Sequence, residues 1–415
     1  MTQLFPFKPV LLAMLKNKTG PLLVALQIAL SLAILSNAVY LVNQRLSSSE
    51  RSSGIGHEEQ VFSLFVKNQK SGGHEEQLAA QKRQEQVMKS VPGLVSLARV
   101  NSIPMSQSGW NRSIAADRKQ ISPTGNAAIY ISAGSLVKVW ELQLLEGRDF
   151  TPEEFLEIDQ STARNSPDVA IVSKAMARAL FPDASSYAGR EFYFGTGDGA
   201  ESVRIVGVVD TLQTAGAQDG VRGEMSVMQP ARMTNDAYSG YTLRAAAGKR
   251  EQVMQDVEKA LRAASPEPLN IRMQAQTSIR EDRYRNDKGL SWMLLTVCGL
   301  LIMITASGIV GMCSLWVTQR TKQVGIRRAL GATRLHILMH FLTENLLISA
   351  LGIVLGCVLA LGLNQFLVTQ FDMRKLPLSY LLWSPLLFCL LGMVAALAPA
   401  WRAARIAPAT ATRSV

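Results

Sequence analysis

Few residues in this 415-residue sequence stand where they could do chemistry. His336 and His340 are spaced i, i+4, which puts two imidazoles on one helical face, as in a two-histidine metal site. No third ligand lies nearby in sequence, so packing at an interface competes with metal binding. Gly56-His-Glu-Glu-Gln60 recurs as Gly73-His-Glu-Glu-Gln77. Two such clusters would bind zinc or copper weakly, or serve only as solvated polar segments. Glu344 is the one acid inside a long apolar run, where an ionisable side chain is a functional candidate. It stands near the start of that run and near His340, so a structural ion pair or a snorkelled contact fits equally well. The four cysteines, Cys298, Cys313, Cys357 and Cys389, all fall in apolar runs and read as small hydrophobes. The sequence has no Walker A loop, Gly-x-Ser-x-Gly elbow, His-Glu-x-x-His or Cys-x-x-Cys pair.

Apolar helices must position these residues. The chain is 48% hydrophobic and only 18% charged, with a mean hydropathy of +0.12, which excludes a disordered chain. Residues 21–42, 289–318, 341–368 and 380–401 are each long and apolar enough to cross a hydrocarbon core, which takes about 20 residues. Glu344 is the only charge in these four stretches, and Pro385 and Pro399 interrupt the last. The flanks carry Lys8, Lys16 and Lys18, then Arg320, Lys322, Arg327, Arg328 and Arg334, then Arg402, Arg405 and Arg413, with no acid among them. Together they account for the whole formal net charge of +11. Four spans put these flanks on one side, which the positive-inside rule makes cytoplasmic, so a nucleic-acid surface is excluded. The first run is longer than a signal-peptide core of about 7–15 residues, which predicts an uncleaved anchor. Residues 1–20 fit a short helix lying at the cytoplasmic interface.

The stretch 43–288 is too long for a loop and reads as a folded extracytoplasmic domain. Residues 47–56 read as a linker. Helices are expected over 75–90, 174–180 and 249–264, and strands over 127–132, 169–172, 203–209 and 241–244. The small, polar run 211–223 reads as a mobile loop. The mixture predicts an α+β fold in two lobes. A helix-forming stretch enters the second span without proline. As one helix over 273–318 it would be about 70 Å long, a stalk rising from the membrane; the alternative is a separate helix broken at Gly289. The remaining segments are a cytoplasmic stretch 319–340, a short outer loop 369–379 and a cytoplasmic tail 402–415.

The segment Gln319-Arg-Thr-Lys-Gln-Val-Gly-Ile-Arg-Arg-Ala-Leu-Gly-Ala-Thr-Arg-Leu-His-Ile337 closely resembles the cytoplasmic motif of MacB/FtsX-like ABC transporter permeases. Pro399-Ala-Trp-Arg-Ala-Ala-Arg-Ile-Ala-Pro408 resembles their C-terminal signature, and 169–209 is similar to their periplasmic core domain. The resemblance implies a bacterial inner-membrane protein with four transmembrane helices and both termini cytoplasmic. It also implies a large α+β periplasmic domain between the first and second spans. This chain would be non-catalytic and bind no cofactor; ATP and Mg would sit in a partner ABC ATPase subunit. A second permease copy or a homologous permease would complete the pair, and membrane lipids would surround it. Gln323, Gly325, Ile326, Arg327, Arg328 and Gly331 become the ATPase-coupling residues, with Glu344 as the intramembrane polar residue. Gly325 and Gly331 bracket an expected short helix, 326–330, whose Arg327 and Arg328 could pair with acids on a partner or anchor anionic head groups. Gln323 stands where the family usually has an acid. Little polar surface is available for a conduit, so the expected mechanism is mechanotransmission driving efflux through an adaptor and a TolC-like outer-membrane channel. Lipoprotein release and regulation of cell-wall hydrolases are the alternatives within the family, and a membrane-anchored sensor without an ATPase is the alternative outside it.

Overall fold

The computed structural model describes residues 19–67, 73–161, 166–234, 238–266, 268–371 and 375–405. The interfacial helix expected over residues 1–20 lies outside these, apart from its last two residues, as does most of the tail 402–415. The helices are α1 (Thr19–Glu50), α2 (His74–Lys89), α3 (Leu136–Val139), α4 (Lys174–Leu180), α5 (Arg250–Ala264), α6 (Gln276–Gln319), α7 (Thr321–Ala329), α8 (Arg334–Phe371) and α9 (Leu378–Ala404). The chain divides into two compact units, Glu50–Asn286 and the residues flanking it on either side.

In the flanking unit, α1, α6, α8 and α9 are, among the described residues, the helices long and apolar enough to cross a membrane. Helix α1 occupies the centre: 56% of its most apolar window is buried, against 17–28% for the other three. Small residues make this possible. A methyl group added at Gly352 of α8 would come within 2.7 Å of the Ala25 carbonyl oxygen, and one at Gly356 within 3.1 Å of Ala29 Cα. Gly352 and Gly356 thus let α8 touch the α1 backbone, the small-xxx-small device of membrane helix pairs. Polar groups fix the register. Ser31 bonds Thr305 of α6 at 2.8 Å, Gln27 Nε2 donates to Ile304 O at 3.0 Å, and Asn37 Nδ2 donates to Ala360 O of α8 at 3.1 Å. The order of contacts makes α8 run parallel to α1, while Gly20 beside Met312, Ser31 with Thr305 and Arg45 with Asp287 make α6 run antiparallel to it.

The other unit holds the strands β1 (Val61–Lys67), β2 (Leu94–Arg99), β3 (Trp110–Ala115), β4 (Gly125–Ser132), β5 (Leu144–Gly147), β6 (Leu156–Asp159), β7 (Val169–Ser173), β8 (Glu191–Phe194), β9 (Glu201–Val209), β10 (Ser226–Thr234), β11 (Tyr238–Ala245) and β12 (Asn270–Ala275). An antiparallel sheet in the order β12-β1-β11-β2 carries α2 and α5 as crossovers, the split βαβ arrangement. Phe62, Leu64 and Val66 alternate along β1 and pack with Val253, Val257 and Leu261, one face of α5 at a spacing of four. The chain between β2 and β11 forms the larger sheet, β4-β3-β8-β9-β7-β10-β6. Its β10 also pairs with β4, so the six strands from β4 to β10 close into a ring. Inside one apolar cluster, Ile114, Ala170, Val172, Phe192, Ile205 and Val227 meet Met176 and Leu180 of α4.

Two expectations change here. Residues 47–56 are not a loose linker. Helix α1 runs on to Glu50, and beyond it Ser53 and Ile55 are buried. Ser47 and Ser49 bond back to the carbonyls of Gln44 and Leu46, which lets serines continue the helix. The run 211–223 is not a mobile loop either: Leu212, Gln213, Thr214, Ala215 and Ala217 are all buried. Small side chains there allow the backbone to pack closely, a property that a composition-based reading takes for mobility.

Candidate coupling site

Helix α6 ends at Gln319, and Arg320 leaves helical geometry (φ −106°, ψ 12°) before α7 begins at Thr321. Thr321 Oγ1 donates to Val317 O at 2.9 Å, tying the new helix to the old one. At the other end the Ala332 amide reaches Arg327 O at 3.0 Å and the Gly331 amide reaches Arg328 O at 3.1 Å. This is a Schellman cap, and it needs Gly331 at φ +96°. Helix α8 then starts with Thr333 Oγ1 accepting from the His336 amide at 3.2 Å, an N-cap bond. A methyl group at Gly331 would meet nothing within 4 Å, so any cost of substitution is purely conformational. Gly331→Val should cost about 1–3 kcal/mol and raise tryptic cleavage within residues 320–334 about fivefold or more. An unchanged cleavage rate would refute the role of the cap.

The helix expected over 326–330 with glycines at both ends is instead α7, Thr321–Ala329, and Gly325 lies inside it. Val324 and Gly325 are buried. Val324 joins Ile337 and Phe341 of α8 and Ala400, Ala403 and Ala404 of α9 in a small apolar cluster. Gly325 is therefore part of an inward face rather than a helix stop. Lys322, Gln323, Ile326, Arg327 and Leu330 are exposed, while Arg328 is only half-exposed. The site residues thus separate into an inward anchor and an outward basic and apolar face.

Glu344 is buried, and Arg320 Nη1 donates to its two oxygens at 2.9 and 2.8 Å. The Arg320 guanidinium also lies 6.0 Å from the Trp316 ring. The next residue, Asn345, donates to Gly392 O of α9 at 2.8 Å. The end of α6 is thereby pinned to α8, and α8 to α9, beside α7. The sequence reading singled out Glu344 but not its partner. A usable signal existed: an acid in an apolar span needs a compensating charge, and Arg320 at the end of the preceding span is within reach.

Three of the four histidines have structural partners. His340 makes an edge contact with Phe341. His57 Nδ1 lies 2.8 Å from Glu141, and His74 Nδ1 lies 2.7 Å from Thr234 Oγ1, so the two repeated pentapeptides serve different contacts. Among the described residues, no group of three or more His, Cys, Asp or Glu is placed to hold a metal ion.

Comparison with known proteins gives two matches to family models. Residues 22–260 match the MacB-like periplasmic core domain, and residues 295–408 match the FtsX-like permease C-terminal domain. Among curated relatives, the macrolide export ATP-binding/permease protein MacB of Agrobacterium fabrum is 25% identical over 311 residues, 70% of this chain and 44% of that protein. The pyoverdine export ATP-binding/permease protein PvdT of Pseudomonas fluorescens is 24% identical over 267 residues, 63% of this chain and 39% of that protein. MacB of Wolinella succinogenes is 30% identical over 145 residues, 35% of this chain and 23% of that protein. The matches thus span less than half the length of each relative. With a matched core domain over more than half its length and a matched permease domain after it, the chain belongs to the MacB/FtsX-like family of ABC transporter permeases.

Proposed function

We propose that this chain is the membrane subunit of an ABC exporter in the bacterial inner membrane, with its basic segments cytoplasmic and residues 50–286 periplasmic. In this reading a partner ATPase holds ATP and Mg, and its closure pushes on α7. The push tilts α6 and α8, and the long α6 carries it to the periplasmic domain. That domain then drives a periplasmic substrate into an adaptor and an outer-membrane channel, with two permease subunits working as a pair. One observation supports this most directly. Helix α7 is anchored on its inner side by the Val324 cluster, yet it leaves Ile326 and Leu330 exposed beside Arg327 and Lys322. An apolar pair rimmed by positive charge suits an acidic groove on a protein partner, whereas anionic lipid would need only the charge. The names of the relatives, export ATP-binding/permease proteins, point the same way.

The test is affinity purification of the protein from gently solubilised native membranes, with partners identified by mass spectrometry. A stoichiometric ABC ATPase with a periplasmic adaptor is expected. Ile326→Asp combined with Arg327→Glu should lower ATPase recovery about 100-fold, the scale of losing a buried hot spot. A hydrolase or lipoprotein carrier in place of the adaptor would overturn the export reading but keep the coupling. No ATPase in the wild-type preparation, or full recovery with the variant, would sink the coupling site itself.

A further inference from the structure

The segment from Thr211 to Glu224 joins β9 to β10, which flank β7 in the larger sheet. Its backbone is gripped from two places that are far apart in sequence. From the first turns of α6, Arg283 Nε donates to Gly216 O at 3.0 Å and Arg283 Nη2 to Ala217 O at 3.2 Å. Tyr284 is 2% exposed, and its hydroxyl lies 3.4 Å from Gln213 Oε1. From the residues directly after α1, Arg51 Nη2 donates to Gln218 O at 2.8 Å and Nη1 to Gly220 O at 3.3 Å. Ser53 O accepts the Gln213 amide at 2.9 Å, and Ser52 O accepts Gln213 Nε2 at 2.9 Å. The two gripping strands of chain are themselves joined: Arg280 Nη1 donates to Arg51 O at 2.9 Å, and Arg280 Nε donates to Glu58 at 2.8 Å.

The approach is too close for side chains. A methyl group at Gly54 would lie 1.8 Å from Thr211 O, and one at Gly223 would lie 1.9 Å from Gln218 O. The segment also reaches onward, since Tyr130 of β4 donates to Gln213 O at 2.6 Å. These hydrogen bonds from Arg51 and Arg283 go to main-chain carbonyls, and Arg51 adds ion pairs to Asp219 at 3.7 Å and Glu224 at 3.9 Å. The carbonyl contacts hold the path of the backbone, whatever side chains it carries.

We propose that Arg51, Arg280 and Arg283 form a latch through which displacement of α1 and α6 is delivered to the β9–β10 connection, and so to the larger sheet. The latch rests on the mechanotransmission reading above and names its output. The two helices that would carry motion out of the membrane converge, through their adjoining residues, on one segment that joins the two strands flanking β7 in the ring. A rotation of α6 against α1 shears that segment, and the shear reorients β9 relative to β10.

Hydrogen exchange with mass spectrometry tests this on the full chain in lipid nanodiscs, alone and with its ATPase partner. In the chain alone, Arg51→Gln with Arg283→Gln should speed amide exchange in residues 211–224 about tenfold or more, with β1, β11 and β12 unchanged as the folding control. Arg283→Lys keeps the charge but loses the fork that reaches two carbonyls, and it should give an intermediate effect. In the complex, a non-hydrolysable ATP analogue should change exchange at 211–224 in the wild type, and the double variant should lose that response while still binding the ATPase. Exchange within twofold of wild type in the double variant alone overturns the latch. So does a wild-type complex whose 211–224 segment ignores the nucleotide. If no ATPase associates with the wild type, the functional reading fails while the first measurement still decides whether the latch exists.

Discussion

Gly352→Leu should prevent the helices from assembling as they do in the native protein. A Cβ at this position already falls 2.7 Å from the Ala25 carbonyl oxygen and 2.9 Å from Ile28 Cβ, and leucine adds three more carbons. The oxygen belongs to a helical main chain and cannot swing aside. Ala25, Ile28, Ala29 and Leu32 are all completely buried, so no free volume exists on the α1 side. Overpacking of a close-packed interior typically costs about 1–3 kcal/mol, and here relief requires moving a helix, so about 3 kcal/mol or more is expected. Separating the two helices would also break the Asn37 bond to Ala360 on the same face. Gly356→Leu should act in the same direction but less strongly, because its contacts begin at 3.1 Å. Gly362→Leu on the same helix meets nothing within 4 Å and should be neutral. Thermal unfolding of the detergent-purified variants checks the series. Equal midpoints for the substitutions at 352 and 362 would dismiss close α1–α8 packing.

The second large effect concerns the Arg320–Glu344 pair. The Glu344 side chain is 2% exposed and that of Arg320 23%. Removing one member of a buried pair leaves the other's charge without compensation and typically costs about 3–5 kcal/mol. Glu344→Ala leaves the partly accessible Arg320 and should fall at the low end of that range, whereas Arg320→Ala leaves the buried Glu344 and should fall at the high end. The cycle formed by Arg320→Ala, Glu344→Ala and both together should return a coupling energy of about 2 kcal/mol. Lys322→Ala and Arg334→Ala, at exposed positions in the same segment, should change stability by less than about 0.5 kcal/mol. In the complex proposed above, Arg320→Ala is expected to retain the ATPase, because the outward face of α7 is untouched, and to lose the response of residues 50–286 to nucleotide. A coupling energy near zero would reduce the pair to two independent interfacial charges.

Much of this architecture can be read from local signals, and the failures have common physical causes. The strand read at 203–209 lies within β9, Glu201–Val209, and the helix read at 174–180 is α4. In both cases apolar periodicity and a boundary residue agree; Ser173, for example, caps α4 by accepting from the Met176 amide. Helix α6 is unbroken at Gly289, because propensity alone does not end a helix whose neighbours all favour it. Within 319–340 the sequence suggests a glycine boundary at both 325 and 331, yet only Gly331 has positive φ. Gly325 is instead buried beside Val324, whose cluster partners Ile337, Phe341, Ala400, Ala403 and Ala404 lie 13 to 80 positions further on. The packing of 211–223 is not legible for the same reason: it depends on pairings between elements distant in sequence, which neither periodicity nor composition encodes.

The central place of α1 has a consequence for how the protein is made. Gln27, Ser31 and Asn37 find their partners at Ile304, Thr305 and Ala360, which lie 277, 274 and 323 residues further along the chain. Asn37 also donates to Ala33 O of its own helix at 2.9 Å, but at about 5–20 residues per second of synthesis α1 emerges some tens of seconds before its partners on α6 and α8 exist. Throughout that interval the whole of residues 50–286 must be made. The newborn anchor therefore waits in the bilayer as an incomplete element, dependent on the insertion machinery or on stray lipid and water for its hydrogen bonds. Ribosome stalling within residues 50–286 would leave it in that state.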